Sequence, residues 1–375
     1  MTLLFTLIGL CVAAFSAFAL PPMNLPYGVT PISHEVYHLH MTILYICCAI
    51  GIVVFGVMIY SLVKFRKSKG AVSHPIHTHL GVEILWTVIP FIILIIMAIP
   101  ATRVLFVIHD TSKPALNIKI TGYQWKWKYE YLDQNISFFS QLSTPLAEIN
   151  NTEKKDKWYL LEVDHQLVLP TNEKIRFYIT SNDVIHSWWV PDLGLKEDAV
   201  PGYINDIWAI IDKPGTYRGQ CAELCGANHG FMPIVIKAVT PAEFQTWVLK
   251  QQGKTAQALA AGPSTLSHDD LMTMGKAAYE KNCSACHQVT GAGMPPTFPA
   301  LKNSPVATGP VQKQIQIVLH GVKNTAMQAF GDQLDNQTIA AIITYTRNAW
   351  GNDDANKKAH QATDVQVDEV QKARS

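Results

Sequence analysis

Two uninterrupted apolar runs, Met41 to Val63 and Ile84 to Pro100, leave this chain few alternatives. The first is long enough to cross a bilayer as a helix, and the second is nearly so. Between them stands a dense basic cluster, Lys64, Arg66, Lys67 and Lys69. The positive-inside rule puts that loop in the cytoplasm and everything after Ala101 on the outer side. Two buried helices of a soluble protein are the other reading, but run length and flanking charge speak against it. A transmembrane helical hairpin is expected over 38–106. Residues 1–19 are apolar and end in Ala17-Phe18-Ala19, a signal-peptide cleavage pattern, although no basic residue leads them. A short uncleaved segment is the alternative.

Beyond the hairpin the pattern changes. Short β-branched and aromatic runs such as Asn117–Thr121, Lys174–Thr180 and Ile207–Ile211, with turn signals between them, predict an all-β sandwich or barrel over 115–242. Residues 250–266 are rich in Gln, Ala, Gly, Ser and Pro and read as a linker. Helical periodicity returns over 267–351, with Asp269–Asn282 and Asn336–Ala349 the clearest helices. Residues 352–375 are polar and charged and are expected to be disordered. The net charge of +1 gives no electrostatic basis for a nucleic-acid partner.

Of the seven cysteines, four form two close pairs, a spacing that suits metal or cofactor sites better than a disulfide framework. The segment from Cys221 to Met232 holds Cys221, Cys225, His229 and Met232, all soft or borderline donors. One Cys, two His and a weak Met make a mononuclear blue-copper site; a second Cys four positions on allows both sulfurs to bridge two ions. His186, in Asp183-Val-Ile-His186-Ser-Trp-Trp-Val-Pro, supplies the second imidazole. Such a closed site has no position for substrate and suits electron transfer. The residues alone also permit a Cys221–Cys225 disulfide, a structural zinc site, or a core histidine at 186.

Cys-x-Glu-x-Cys-x-x-x-His-x-x-Met with an upstream His-Ser-x-x-Val-Pro resembles the dinuclear copper motif of the cytochrome c oxidase subunit II family. The resemblance runs from about His38 to Val239 and includes Glu83-Ile-Leu-Trp86-Thr and the aromatic stretch Gly122 to Tyr131. It implies a cupredoxin-like Greek-key barrel binding two copper ions through His186, Cys221, Cys225, His229, Met232 and the backbone carbonyl of Glu223. It further implies that the Glu223 carboxylate serves a magnesium ion shared with the catalytic subunit. Trp125 would take in electrons, with an ordinary barrel aromatic as the rival role. Glu83 would sit near the mouth of a proton pathway, with a solvated interfacial carboxylate as the rival. The chain departs from the family pattern at Tyr123, where His is frequent, and at Tyr203, where Arg is.

Cys283-Ser-Ala-Cys286-His287 has the spacing for covalent attachment of a c-type haem, with His287 as an axial ligand; a zinc knuckle is the alternative for the motif alone. A sixth ligand must come from Met272, Met274, Met294 or Met327. Residues 268–350 resemble class I cytochromes c, which implies an all-α domain with Met327 as that ligand and Met294 as the fallback. It also implies that Pro299 accepts a hydrogen bond from His287. His74, His77 and His79 could bind a metal, but no cysteine or carboxylate stands close enough to complete a set, and they read as a solvated loop. Cys47 and Cys48 read as packing residues within the first span.

The two resemblances together imply a multidomain membrane protein: a transmembrane hairpin, a copper domain and a haem domain, the last two on the periplasmic side of a bacterial inner membrane. Its function would be that of subunit II of a respiratory haem–copper terminal oxidase, with no catalytic residue of its own. It would take electrons from cytochrome c or a cytochrome bc complex and pass them to the catalytic subunit I. A subunit III would complete the complex, and oxygen reduction would be coupled to proton pumping. Two other readings stand beside it: the electron-accepting subunit of a nitric-oxide-reducing haem–copper complex, and a membrane-tethered carrier without a catalytic partner.

Overall fold

The structure, a computed structural model, describes residues 24–72, 78–260 (side chains through 253), 265–323 and 325–374. The signal-peptide expectation for 1–19 and the histidines His74 and His77 lie outside the described residues. The chain forms two compact units, 1–248 and 249–375.

In the first unit, helices α1 (Pro31–Lys64) and α2 (Leu80–Ile108) form the hairpin and extend past the expected 38–106 at both ends. At 1.5 Å per residue, α1 is about 50 Å long, well beyond a hydrocarbon core of about 30 Å. Its extra length is outside the apolar run, where it docks on the β domain. Thr30 caps the helix in a reciprocal box with Ser33 and donates from Oγ1 to the Leu193 carbonyl at 2.7 Å. Ile32 is buried in the same core as the strands. This capping pattern lies upstream of the hydrophobic run, which is why hydropathy alone started the helix late. Both helices leave Ile52, Phe55, Leu62, Ile84, Phe91 and Ile96 exposed along their lengths, as lipid-facing spans do. At the far end of α2, the Trp208 indole donates to the Val107 carbonyl at 2.9 Å, a second partner for a helix-terminal acceptor that the Asp110 amide also reaches.

The β domain is two five-stranded sheets. One contains β1 (Leu116–Tyr123), β2 (Lys126–Tyr131), β3 (Ile136–Ser140), β5 (Ile175–Ser181) and β8 (Asn205–Ala209), in the order β3-β2-β1-β5-β8. The other contains β4 (Leu167–Pro170), β6 (His186–Val190), β7 (Leu195–Ala199), β9 (Gly215–Cys221) and β10 (Pro233–Val239), in the order β4-β10-β9-β6-β7. The pairs β1–β5 and β4–β10 are parallel, so the chain crosses between sheets rather than meandering. Alternation is clean in β5, where Ile175, Phe177 and Ile179 face inward onto Trp188 and Tyr129. The Tyr131 hydroxyl ties the sheets together, donating to the Val168 carbonyl and accepting from the Val168 amide. A short helix, α3 (Leu146–Ile149), lies in the β3–β4 connection.

Helix α4 (Pro241–Ala260) follows β10. Phe244 and Val248 are buried against the strands, and Trp247 packs on Tyr131. The linker expected at 250–266 is therefore helical through Ala260, because the amphipathic start of α4 is anchored and Gln and Ala extend it readily.

The second unit contains α5 (His268–Asn282), α6 (Ser284–His287), α7 (Val311–His320), α8 (Asn336–Asn348), α9 (Asn352–Lys358) and α10 (Val367–Arg374). Helices α5 and α8 cross in close contact at Gly275, where a Cβ would stand 2.1 Å from the Ala341 carbonyl oxygen. Leu271, Ile315, Ile339 and Ile343 form the core with Val365 and Val370. The expectation of a disordered tail over 352–375 is corrected here. Asn352 to Arg374 is folded, with Asn352, Asn356, Val365 and Val370 fully buried. A few valines on one face, and not overall polarity, decide the segment's fate.

Candidate copper and haem sites

His186 opens β6, Cys221 closes β9, and the β9–β10 connection carries Cys225, His229 and Met232. This topology gathers residues far apart in sequence at one end of the barrel. Cys221 Sγ lies 3.9 Å from His186 Nδ1 and 3.9 Å from Cys225 Sγ. Cys225 Sγ lies 3.4 Å from His229 Nδ1 and 3.5 Å from Met232 Sδ. The Glu223 carbonyl oxygen is 3.4 Å from Cys221 Sγ, while its side chain is exposed. A disulfide needs sulfurs about 2.05 Å apart, so the two thiols are unbridged. Ligands at about 2.0–2.3 Å from one ion in tetrahedral array lie roughly 3.3–3.8 Å from each other, and the spacing found here matches that. Two thiols, two imidazoles and a thioether converging in this way fit copper; a thioether is a poor zinc ligand.

Protonation of the site follows from this crowding. The two thiols hydrogen-bond to each other, so Cys221 is held far below the ordinary thiol value, chiefly by the Cys225 thiol, while Cys225 is pushed far up. Burial opposes a charged His186, yet its hydrogen bonds to Asp183 and Cys221 outweigh it and raise the ring above its ordinary value. His186 is wholly buried, and Gly122 makes the room: a Cβ there would stand 2.8 Å from the ring.

Several supporting residues carry no motif of their own. Asp183 accepts from His186 Nε2 at 2.8 Å, which fixes the tautomer and leaves Nδ1 for a metal. The other Asp183 oxygen accepts from the Gln124 amide, also at 2.8 Å. Gln124 Nε2 and Trp125 Nε1 both donate to the Cys225 carbonyl, at 2.8 and 3.2 Å. Trp127 Nε1 donates to the Met232 carbonyl at 3.2 Å. The only sequence signal for Asp183 is its place three residues before His186. Glu83 stands apart at the N-terminus of α2, where Oε1 accepts from the His79 amide at 3.0 Å; the structure gives it a capping contact.

In the second unit, Cys283 caps the short helix α6, and Cys286 and His287 lie on it. His287 Nδ1 donates to the Pro299 carbonyl at 2.8 Å, orienting the ring with Nε2 as its ligand atom. Burial lowers the His287 value, which favours the neutral imidazole a metal needs. Two half-buried thiols and an oriented, neutral imidazole fit a covalently attached haem. Met327 lies in the loop between α7 and α8, and its carbonyl accepts from Val322 at 2.9 Å. Met294 is held in a tight turn by two backbone bonds with Phe298, and Met274 Sδ on α5 faces Gln337. The structure brings the copper donors together and pairs His287 with Pro299.

Residues 116–239 match the family described as cytochrome c oxidase subunit II, periplasmic domain, and residues 20–104 match its transmembrane domain. A probable cytochrome c oxidase subunit 2 of Rickettsia bellii is 42% identical over 247 residues, covering 65% of this chain and 90% of that protein. The chain belongs to the cytochrome c oxidase subunit II family. The mitochondrial cytochrome c oxidase subunit 2 of Glycine max is 42% identical over 226 residues, 60% of this chain and 57% of that protein. A crystal structure of the periplasmic domain of subunit II of cytochrome oxidase from Bradyrhizobium japonicum is 40% identical, with a TM-score of 0.35, and covers 38% of this chain and 98% of that one. Residues 270–345 match a further family, cytochrome c oxidase, cbb3-type, subunit III. This subunit II therefore carries a fused cytochrome c domain. It is a membrane-anchored subunit of a haem–copper oxidase with a periplasmic domain, and the two families imply copper and haem as its cofactors.

Proposed function

We propose that this chain takes electrons singly at its cytochrome c domain and passes them by way of its copper domain to the catalytic subunit of an oxygen-reducing, proton-pumping oxidase. When bound, two copper ions and one haem c supply reversible one-electron chemistry. His186, Cys221, Cys225, His229, Met232 and the Glu223 carbonyl would hold the copper; Cys283, Cys286, His287 and Met327 would hold the haem. The observation that carries the reading is the convergence of five soft donors within 3.4–3.9 Å steps, four of them buried. Such a cluster binds a metal without a position for substrate.

The chain's own residues act by orientation. Asp183 keeps His186 in one tautomer, and burial keeps water from adding itself as a ligand. Trp125, half-buried and bonded to the Cys225 carbonyl, would couple the surface to the copper ligands. The exposed Glu223 carboxylate would serve a magnesium ion shared with subunit I, since a hard oxygen donor suits that ion. Glu83 would receive protons near its pathway mouth, in addition to capping α2. A subunit III and a cytochrome c or cytochrome bc donor complete the proposal.

Gas turnover by the intact complex, fed by reduced cytochrome c, tests it. Oxygen uptake abolished by Cys225→Ser is the expected result. Nitric oxide reduction without oxygen uptake would move the chain to a nitric-oxide-reducing complex. Electron transfer without any gas turnover would leave a tethered carrier.

A further inference from the structure

The matched cytochrome segment ends at residue 345, but the fold does not. Buried Arg347 donates from Nε to the Ala362 carbonyl at 2.6 Å and from Nη2 to Asn356 Oδ1 at 3.0 Å, drawing the following segment back onto α8. Asn348 Nδ2 donates to the Thr363 carbonyl at 3.0 Å, and the Val365 amide donates to Thr344 Oγ1 at 2.9 Å. Val365 and Val370 then enter the core beside Leu271, Ile315 and Ile339. The run finishes at Arg374, whose guanidinium spans three acceptors. Nε donates to Asn336 Oδ1 at 2.7 Å, Nη2 to the Leu334 carbonyl at 2.9 Å, and Nη1 to the Gly331 carbonyl. Gln316 on α7 adds a bond to the Ala373 carbonyl at 3.2 Å.

Two of those acceptors, Gly331 and Leu334, lie on the limb of the α7–α8 loop that follows Met327, and Asn336 opens α8 just beyond it. Before Met327, Val322 donates to the Met327 carbonyl; after it, Phe330 donates to the Val318 carbonyl and Gly331 to that of Leu319, which ties the same limb to α7. Arg374 adds to these ties a second hold, from the C-terminal segment, on the limb between Gly331 and the start of α8. We propose that residues 352–374 form a strap, and that Arg374 is a positioning residue for the loop presenting Met327. The inference rests on Met327 being the haem's sixth ligand. A thioether is a weak, uncharged ligand, so its occupancy depends on how seldom the loop opens. Exogenous ligands bind only the open loop, and their apparent affinity scales with its population.

The test uses the full chain with Arg374→Ala, after covalent haem content has been shown equal to the parent's. Arg374 is exposed, so the domain folds without it. Losing three charge-assisted bonds at the surface should raise the open population roughly tenfold. Imidazole should then displace the methionine at roughly one-tenth the concentration, read from loss of the methionine–ferric-iron absorption band. Amide exchange over 321–335 should quicken while exchange in α5 stays unchanged. Arg374→Lys, with one donor group in place of a fork, should fall between. If Met327→Ala removes the band but Arg374→Ala shifts neither imidazole binding nor loop exchange, the ligand stands and the strap is overturned. If Met294→Ala removes the band and Met327→Ala does not, the ligand assignment fails and the positioning role falls with it.

Discussion

Replacing Arg347 by Met probes what holds the cytochrome unit together. The guanidinium is completely buried, and its hydrogen-bond acceptors are the carbonyls of Gly309 and Ala362, Gln314 Oε1 and Asn356 Oδ1. Burial draws its pKa below the ordinary arginine value, the Glu369 carboxylate opposes that shift, and the five-donor fork stays charged. Methionine fills much of the volume and removes the cost of burying a cation, a gain of several kcal/mol in isolation. Against this, two buried acceptors, Gln314 Oε1 and Asn356 Oδ1, lose their donor at about 1–3 kcal/mol each, and the carbonyls of Gly309 and Ala362, closer to solvent, lose theirs at a smaller cost. Gln314 and Asn356 keep their amide bonds to Thr346, Ala307 and Arg347's own carbonyl, so they cannot rotate away. The net expectation is a loss of about 3 kcal/mol, which for a domain of this size lowers the melting temperature by roughly 10 °C. Soret-band circular dichroism on the intact chain follows the haem unit during heating. Arg347→Lys should do no better, since it keeps the buried charge and loses the fork. A shift below roughly 2 °C for Arg347→Met would refute the reasoning, showing that relief of cation burial cancels the orphaned acceptors.

Four further expectations concern the other sites. His186→Ala and Cys225→Ser should each abolish bound copper while leaving haem attached; retained copper stoichiometry in either would sink the ligand assignment. Asp183→Ala frees the His186 ring and should weaken copper affinity by about 10–100-fold in chelator competition, and an unchanged affinity would reduce Asp183 to a turn residue. Trp125→Phe deletes one of two donors to the Cys225 carbonyl, so copper content and its paramagnetic resonance signal should persist while electron uptake slows; an unaffected rate would make Trp125 an ordinary barrel aromatic. Glu83→Gln preserves the capping contact to His79 and removes only the acid, so reduced proton uptake would report the carboxylate, and full uptake would confine Glu83 to capping.

The hairpin, the barrel, and the ligand-bearing loops were legible because each imposes a residue pattern that the backbone cannot evade. Lipid demands long apolar runs, a half-buried strand alternates, and a metal needs particular donors at particular spacing. What stayed hidden rests on contacts without a pattern. The helix start at Pro31 depends on Thr30 reaching Leu193, a partner 163 residues away. The folded tail depends on Val365 and Val370 finding a groove between helices, although the surrounding residues are among the most polar in the chain. Asp183 and Gln124 are unremarked polar residues until the strands align them. The linker was misjudged at its start, where Trp247 and Phe244 anchor a helix that composition alone reads as loose.

The two redox sites reach stiffness by different routes. Around the copper ligands, the loop's own polar backbone is tied to other elements: Cys225 to Gln124 and Trp125, Met232 to Trp127, and the Ala222 amide to the Ser187 carbonyl. A loop whose carbonyls are already satisfied by strands has little to rearrange when the charge at its centre changes, which is the physical requirement for rapid electron transfer. The haem ligands are framed differently. His287 is oriented by one carbonyl, and Met327 sits in a loop whose far limb is gripped by a segment near residue 374. The copper site should therefore tolerate perturbation beyond its own barrel, whereas the haem site's ligation should answer to changes far along the chain.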